Sequence, residues 1–416
     1  MPGMNPSLRR WLQVSLFNLM LIALVGVIMR YKIAYSLPIV NQKYLLHGHS
    51  HFAFAGWITQ ALMSLLVAYL SEKGDTTAFA RYRKILYANL VTAYGMLLTF
   101  PFEGYALLSI TFSTLSIFVS YWFAVVYWRD LNQSLVKNTS HHCFKAAVLF
   151  NALSSLGAFS LAFMLATKNI LPERYLASIY FFLHFQYNGW FFFACMGLLM
   201  YQLSKYGVAD DQLKKVYLLF VAACVPAYFL SALWLPVPKW VYILVVIAVF
   251  LQLAGWWWLI RQVRPALPAI RKSIPLLSQR LFLLCCIALT IKLCLQAGSV
   301  IPSLSQLAFG FRPIVIGYLH LVLLGVITLF IIAYMVAGNC IPVNKTTAAG
   351  MILFTAGIII NEALLMIQGI ADLSYKPVPF MSESLLGAAC ILFCGMLVIN
   401  YGQRVPATSL PRREKF

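Results

Sequence analysis

Three histidines in this chain open the same short pattern, in which an apolar residue follows the histidine and a glycine lies five residues after it. The copies are HFAFAGW from His51, HFQYNGW from His184 and HLVLLGV from His320. Their spacing is close to one third of the 416-residue chain each time, which predicts a threefold internal repeat. Imidazole binds haem iron, copper and zinc, and an ionisable residue inside an apolar helix is a functional candidate by default. The pattern therefore predicts a shared ligand or metal.

The composition is that of a polytopic membrane protein, because 62% of the residues are hydrophobic and only 10% are charged. Apolar stretches of about 20 residues predict an all-α membrane bundle of twelve transmembrane helices in three groups of four. We expect one membrane domain with approximate repeats over 1–143, 144–277 and 278–416. The predicted spans are 11–29, 44–70, 85–102, 105–128, 144–167, 175–203, 216–235, 240–260, 281–297, 313–337, 347–369 and 384–401.

The basic residues predict the orientation, since cytoplasmic loops retain Lys and Arg during insertion. Most of the 31 basic residues fall on one side if the N terminus is cytoplasmic. Both termini are then cytoplasmic, and we expect a bacterial inner membrane. The first apolar stretch is too long for a cleaved signal and is predicted to remain as a helix. The formal charge of +20 then faces anionic lipid, and no nucleic-acid partner is predicted.

Helices two, six and ten carry the repeat histidines and run from outside to inside in this topology. Each of these histidines lies seven to nine residues into its span, which is about 10 to 14 Å below the outer surface at about 1.5 Å per residue. His47 lies one turn before His51 on the same helix face. His141 and His142 are predicted to be solvated residues of a cytoplasmic loop.

Two plainer interpretations compete with a shared ligand. A single intramembrane histidine can serve only to hydrogen-bond a neighbouring helix. The glycines of the pattern, Gly56, Gly189 and Gly325, could leave room for a flat macrocycle, or could allow close helix packing. Three histidines at matched depth favour ligand binding over the plainer use.

On these residues the chain resembles subunit I of the haem-copper oxidases, with the cbb-type oxidase and nitric oxide reductase branch nearest in style. In helix two that family carries a haem-ligating His with Gly nine residues later, and His47 and Gly56 in HGHSHFAFAG have this spacing. In helix ten it carries His-x-His-Leu followed by Gly, and the sequence here is Tyr318-Leu319-His320-Leu321 with Gly325. The resemblance implies twelve helices in a threefold pseudo-symmetric bundle with cytoplasmic termini.

The resemblance also implies a low-spin b-type haem held by His320 together with His47, or with His51 by the repeat. The active-site half departs from the family pattern. Tyr318 occupies the place of the high-spin haem ligand, and the predicted helix 216–235 contains no histidine where the family has two copper ligands. His184 resembles the remaining copper ligand. Copper is therefore only a possible second cofactor.

Four charged residues are further candidates. Lys292 and Glu362 lie within predicted spans, where ionisable groups are functional candidates. They could pair with each other, or Lys292 could neutralise a haem propionate or an anion while Glu362 relays protons or binds a cation. Arg312 and Lys43, at the outer ends of helices ten and two, are better placed for propionates, and interfacial anchoring is the competing interpretation.

Three functions follow as hypotheses. The first is a membrane b-type cytochrome that transfers electrons or handles a gas or a haem, with a separate cytochrome c-type protein or a quinol as redox partner. The second is a non-redox transporter, insertase or sensor that binds copper or zinc through His47, His51, His184 and His320. The third is an active oxidase or reductase with its copper site rebuilt from His49, His51 and His184.

Overall fold

The computed structural model describes residues 5–134, 137–305 and 311–404, and within these ranges the chain is helical with no β-strand. The extreme ends of the chain, on which the predicted position of the termini depends, lie outside the described residues. The α-helices are α1 (Pro6–Tyr35), α2 (Gln42–Phe52), α3 (Gln60–Glu72), α4 (Ala78–Glu103), α5 (Leu107–Gln133), α6 (Thr139–Ala166), α7 (Pro172–His184), α8 (Phe192–Lys205), α9 (Asp210–Cys224), α10 (Lys239–Val263), α11 (Leu267–Ser273), α12 (Leu276–Gly298), α13 (Arg312–His320), α14 (Leu329–Ala337), α15 (Lys345–Leu373) and α16 (Met381–Gly402).

Ten helices of the described chain are long and apolar enough to cross a membrane. The count becomes eleven if α9 and the 3₁₀ segment Pro226–Ala232, which are bent by 43° from each other, form one broken span. The helical run 172–205, where the sequence predicts a sixth span, is not among the ten. The protein is therefore an all-helical, multi-pass membrane protein.

A π-helical turn interrupts each of the three helices that carry a repeat histidine. The turn π1 (Ala53–Thr59) follows α2, π2 (Phe185–Phe191) follows α7, and π3 (Leu321–Thr328) follows α13. Each turn begins one or two residues after the repeat histidine and contains the glycine of the pattern. π-Helices are rare and occur mostly as single turns at functional sites. The sequence repeat therefore corresponds to a repeated structural feature, which the periodicity of the apolar residues did not reveal.

The chain divides into two compact units. Unit 1 comprises Met1–Val119, Pro275–Phe282 and Thr328–Phe416, and unit 2 comprises Ser120–Ile274 and Leu283–Ile327. In unit 1, 89% of the residues in the apolar stretch of the Gln42–Glu72 helix are buried, against 33% in the apolar stretches of α1 and of α16. This helix is therefore the centre of its unit. In unit 2 the equivalent buried helix is α8, whose residues from Phe193 to Leu198 are all buried.

One sequence prediction is wrong at the start of α6. The side chain of Asn138 caps the helix by accepting a hydrogen bond from the His141 backbone N–H at 3.2 Å, and the Asn138 N–H donates to His141 Nδ1 at 3.1 Å. This is a capping box, so the helix begins at Thr139. His141 is a buried capping residue and not a solvated loop residue, and His142 is exposed but also lies in the first turn of the helix and not in a loop.

Candidate functional site

In unit 1, two asparagines hold the backbone of π1 from the neighbouring helices. Asn18 of α1 donates to the Gly56 carbonyl at 2.6 Å, and Asn89 of α4 donates to the Ala55 carbonyl at 3.0 Å. A π turn lengthens the backbone hydrogen-bond ring and disturbs the regular pairing of carbonyls within the helix. Buried carbonyls need partners, and the two amides supply them. The irregular turn is therefore fixed by side chains that come from outside the helix.

The polar contacts around π1 extend into a small network. Asn89 also donates to Gln60 Oε1 at 2.8 Å, and the Tyr94 hydroxyl donates to Asn18 Oδ1 at 2.6 Å. Asn18, Gln60 and Asn89 are buried. In apolar surroundings such a network specifies a single arrangement of its helices, because a broken bond leaves a costly unpaired group.

His47 and His51 lie on one face of α2 against the rings of Phe100 and Tyr105, which we call the aromatic wall. The His51 ring stacks on Phe100 with ring centroids 4.5 Å apart and an interplanar angle of 12°. The His47 ring meets the edge of Tyr105 at 4.6 Å, and His51 Nε2 lies 3.3 Å from the Tyr105 hydroxyl. The structure thus brings together the two histidines that the sequence pattern predicts on one helix face.

The aromatic wall depends on how α4 ends. Phe100 is fully buried, and α4 stops at Gly104, whose φ of 64° falls in the left-handed region that favours glycine. Any side chain at Gly104 would also overlap the Tyr44 ring. The turn places Tyr105 directly after the helix and therefore beside the histidines.

His47 Nε2 is buried and has no hydrogen-bond partner among the described residues. An unpaired polar atom in apolar surroundings destabilises the fold by about 1 to 3 kcal/mol. A ring nitrogen that carries a lone pair and meets no protein donor suits coordination of a metal centre such as haem iron. Of the α2 histidines, His47 therefore fits the predicted ligand best.

A cavity of about 470 Å³ lies at the N-terminal end of α2. Its lining includes Lys32, Asn41, Gln42 and Tyr44. Lys43, a predicted propionate partner, is exposed in the first turn of α2. The polar end of the histidine helix is thus open and carries positive charge.

In unit 2, His184 is fully buried and both of its ring nitrogens are hydrogen-bonded. Nε2 lies 2.8 Å from the Cys224 carbonyl, which can only accept, so Nε2 carries the proton. Nδ1 then accepts from the Asn188 amide at 3.1 Å. In this arrangement neither nitrogen has a lone pair left for the copper ligation that the resemblance implies.

The Cys224 carbonyl accepts from His184 because the helix breaks there. Pro226 cannot donate a backbone hydrogen bond, and the chain continues as a 3₁₀ segment in which the Tyr228 N–H bonds to the Val225 carbonyl at 3.1 Å. In an α-helix that N–H would bond to the Cys224 carbonyl. The change to 3₁₀ hydrogen bonding after Pro226 thus leaves the Cys224 carbonyl available to accept from His184.

His320 is held in the opposite tautomer. Its Nδ1 lies 2.9 Å from the Ile316 carbonyl, one turn earlier in α13, and donates to it. In the neutral ring the lone pair is then on Nε2. Metal-binding histidines usually donate their other ring N–H to a carbonyl or carboxylate in this way. His320 and His184 have the same sequence pattern but different hydrogen-bonding roles.

The remaining candidates of the predicted tenth span, 313–337, and its outer end lie in α13. Tyr318 is half-buried, with its ring 6.3 Å from that of Tyr187 in an edge-on arrangement. Arg312 is exposed at the first position of α13.

Lys292 and Glu362 lie in different units. Lys292 is 5% exposed, and its Nζ is 5.7 Å from the centre of the Phe192 ring. Within the described chain no carboxylate lies within ion-pair distance of it. Glu362 is half-buried and accepts a hydrogen bond from the Asn361 amide at 3.2 Å.

The pattern glycines serve close packing. A Cβ at Gly189 would lie 2.5 Å from Phe150 Cβ, one at Gly56 would lie 2.6 Å from the Phe52 ring, and one at Gly325 would lie 3.1 Å from Ala288 Cβ. Side chains therefore fill the space that the alternative interpretation reserves for a macrocycle.

Among residues 5–134, 137–305 and 311–404, no group of three or more His, Cys, Asp or Glu side chains is arranged to hold a metal ion. No protein-family model matches the chain, and no curated protein matches it.

The sequence reasoning missed four residues of the site in unit 1, which are Asn18, Asn89, Phe100 and Tyr105. The signal for the asparagines is a polar residue inside an apolar span, and the signal for the aromatic pair is the stretch Phe100-Pro-Phe-Glu-Gly-Tyr105 at the end of a predicted helix.

Proposed function

We propose that the protein is a membrane cytochrome that binds a b-type haem, with a histidine of α2 as an axial ligand. The observation that carries the proposal is the buried Nε2 of His47, which meets no donor among the described residues and lies beside the aromatic wall of Phe100 and Tyr105. His51 is the alternative ligand, because it lies on the same face one turn further along α2.

The side chains around these histidines suit a flat, apolar group with a charged edge. The rings of Phe100 and Tyr105 provide apolar contact, and Lys43 and Lys32 lie at the open polar end of the helix. When bound, the haem would supply one-electron redox chemistry or a site for a small gas. The chain's own residues would hold the iron, shield it from water and neutralise the propionates.

The resemblance to subunit I of the haem-copper oxidases names His320 as the second axial ligand. Its tautomer supports this role, since Nδ1 donates to the Ile316 carbonyl and the lone pair is on Nε2. Copper is not part of the proposal, because both nitrogens of His184 are used in hydrogen bonds and the neighbouring helix, α9, carries no histidine. The function is then electron transfer or the handling of a gas or haem, with a cytochrome c-type protein or a quinol as redox partner.

The finer architecture belongs to the same proposal. It comprises twelve spans in three groups of four, with both termini cytoplasmic in a bacterial inner membrane. The three π turns, one after each repeat histidine, support the threefold repeat. Alkaline phosphatase and green fluorescent protein fusions after Lys73 and after Lys168 test the orientation. The first site is expected to be fluorescent and the second to have phosphatase activity, and the reverse result would overturn the topology.

The decisive experiment is a dithionite-reduced minus oxidised visible spectrum of the purified protein. A pyridine haemochrome assay and metal analysis are made on the same sample. A sharp α band with stoichiometric b haem is the expected result. A colourless protein that carries copper or zinc would overturn the cytochrome and favour a non-redox transporter or sensor, and oxygen or nitric oxide consumption would establish an active oxidase or reductase.

A further inference from the structure

The indole of Trp258, near the end of α10, carries a buried donor without an acceptor. Its Nε1 is enclosed and has no hydrogen-bond partner among the described residues. The N–H of Trp256, two residues earlier in the helix, donates to the Thr290 hydroxyl at 3.0 Å. A buried indole N–H usually has a partner, so the exception at Trp258 indicates an acceptor supplied by another molecule.

Two positive side chains lie beside the same ring. Lys215 Nζ is 5.6 Å from the centre of the Trp258 ring, and Arg261 Cζ is 5.9 Å from it. Both side chains are exposed, and within the described chain neither forms an ion pair. An indole N–H, an ammonium and a guanidinium are donors only. Together they suit an anion with several acceptor oxygens, such as a phosphate group.

The packing of α9 on α10 places Lys215 beside the indole. The two helices approach closely at Gly255, where a Cβ would lie 3.0 Å from the Phe220 ring and 3.3 Å from Leu219 Cβ. Lys215 lies one turn before Leu219 in α9. Trp258 lies about one turn after Gly255 in α10. The lysine therefore reaches the ring from a neighbouring helix.

The carboxylates at the start of α9 contact other groups. Asp210 Oδ1 accepts from the Thr139 backbone N–H at 2.9 Å, and Asp211 accepts from the Gln212 amide at 2.6 Å. The segment 259–274 contains no acidic residue and four basic ones, Arg261, Arg264, Arg271 and Lys272. The end of α10 is therefore strongly positive.

An apolar stripe on α10 ends at these charges. It consists of exposed residues that share one face of the helix by their spacing, namely Ile243, Ile247, Phe250 and Trp257. Arg261 continues the same face, one turn after Trp257. From Phe250 to Arg261 the helix rises by about 16 Å at about 1.5 Å per residue. This is about half of the hydrocarbon thickness of about 30 Å, and therefore about the depth that one acyl chain reaches.

We propose that Trp258, Lys215 and Arg261 bind the phosphate group of one anionic phospholipid, with an acyl chain along the stripe of α10. A zwitterionic lipid has the same phosphate, but its ammonium group would face two positive side chains. Free phosphate lacks the chain that covers the stripe. Interfacial anchoring and the negative end of the helix dipole also favour Trp and Arg at this position, but neither supplies an acceptor for the Trp258 N–H. The site contains none of the candidate haem ligands and is independent of the haem proposal.

The test is thermal unfolding of the full-length protein in phosphatidylcholine nanodiscs that contain a rising fraction of phosphatidylglycerol. Circular dichroism follows the loss of helix. For the wild type we expect the melting temperature to rise with this fraction and then saturate, because the lipid binds only the folded state. Inorganic phosphate added to pure phosphatidylcholine nanodiscs should give no rise. Melting temperatures that do not depend on phosphatidylglycerol would overturn the proposal, and an equal rise with inorganic phosphate would show a free-anion site instead.

Trp258→Phe is the discriminating variant, because it removes the N–H and keeps both the charge and an aromatic ring. The phosphatidylglycerol fraction at the half-maximal rise should increase about tenfold, as expected for one lost hydrogen bond to a charged group. A general attraction between the basic segment and an anionic bilayer would leave this variant like the wild type. That result would refute the site.

Lys215→Gln and Lys214→Gln form a matched pair. Both remove one exposed lysine from α9, but residue 214 lies about 100° further around the helix. Lys215→Gln should raise the half-maximal fraction about tenfold, and Lys214→Gln should keep the wild-type value. Equal changes in the two variants would show only a general charge effect and would overturn the proposal.

Discussion

The Asn89 side-chain amide donates to the Ala55 carbonyl at 3.0 Å and so joins α4 to the first π turn. The same amide nitrogen donates to Gln60 Oε1 at 2.8 Å. One residue of a neighbouring helix therefore bonds to both the irregular turn and the regular helix that follows it. The position of the histidines on α2 relative to the buried α3 depends on this connection.

Replacement of Asn89 by Leu is expected to destabilise the protein by about 1 to 3 kcal/mol, because the Ala55 carbonyl and Gln60 Oε1 lose a buried donor. Reversible unfolding in mixed detergent micelles measures the change. Asn132→Leu is the matched control, since Asn132 is exposed at the end of α5 and should change stability by less than about 0.5 kcal/mol. Equal effects of the two substitutions would show that the π-turn contact is energetically unimportant.

Gly189→Ala tests the close packing of the second π turn. The new methyl group would lie 2.5 Å from Phe150 Cβ, and overpacking of this kind typically destabilises by about 1 to 3 kcal/mol. Gly387→Ala is the control, because a Cβ at that position in α16 meets nothing within 4 Å. The control should be neutral or stabilise by up to about 1 kcal/mol. Thermal unfolding of both variants measures the difference, and a Gly189→Ala protein as stable as wild type would contradict the assigned packing.

His47→Ala and His51→Ala separate the two candidate ligands on α2. His47→Ala should lose the low-spin α band, because His47 Nε2 is the ring nitrogen without a protein partner. His51→Ala should keep the band, although its intensity can fall with the loss of stacking on Phe100. Reduced minus oxidised spectra of the two purified variants provide the readout. The opposite outcome would assign ligation to His51, and a low-spin α band unchanged by either substitution would exclude both residues.

His320→Ala addresses the second axial ligand. If His320 ligates the iron, its loss converts a low-spin haem into a high-spin one, which moves the absorption bands without removing all of the haem. Tyr318→Phe is the matched control in the same helix, and its spectrum should remain low-spin. An unchanged spectrum for His320→Ala would eliminate that residue as a ligand.

Asp75 gives a pH dependence outside the membrane. Partial burial in the loop between α3 and α4 raises its pKa, but hydrogen bonds from Thr77 and Arg81 and the charge of Arg81 outweigh this effect, so the net pKa lies below the usual value. A depressed carboxyl pKa stabilises the fold above the unfolded pKa of about 3.9, and that contribution is lost as the pH falls through the folded pKa. Because the Arg81 ion pair is partly exposed, the contribution should be below about 1 kcal/mol.

Asp75→Asn is the variant that tests this contribution. Melting temperatures from pH 6 down to the lowest pH at which the protein stays soluble should fall less steeply for Asp75→Asn than for the wild type. Glu173→Gln, in the first turn of α7, is a control that should keep the wild-type slope. Parallel curves for all three proteins would exclude a role for the Asp75 contacts.

The membrane character and most helix positions could be predicted from the sequence, because apolar runs of spanning length have few alternatives. The predicted span 347–369 falls within α15 and 384–401 falls within α16. The π turns could not be predicted in this way, since a single extra residue barely changes a window of about 20 apolar residues.

Part of the candidate site could also be predicted from the sequence. The shared face of His47 and His51 follows from helical periodicity, whereas the different tautomers of His184 and His320 do not. These depend on which carbonyl each ring meets, and for His184 that is the Cys224 carbonyl, which the 3₁₀ segment after α9 leaves without a helical partner. Tertiary contacts of this kind leave no local pattern. The prediction of a solvated His141 was wrong because the Asn138 capping box was overlooked.

The π turns also determine how the chain tolerates deletions. A π turn is an α-helix with one residue added, so removing one residue from Ala53–Thr59 would restore a regular helix. The shortened chain could still fold, but the residues before the deletion would rotate by about 100° relative to α3. His47 and His51 would then turn away from Phe100 and Tyr105. A single-codon loss in this stretch would therefore move the candidate ligand face of α2 without breaking the helix itself.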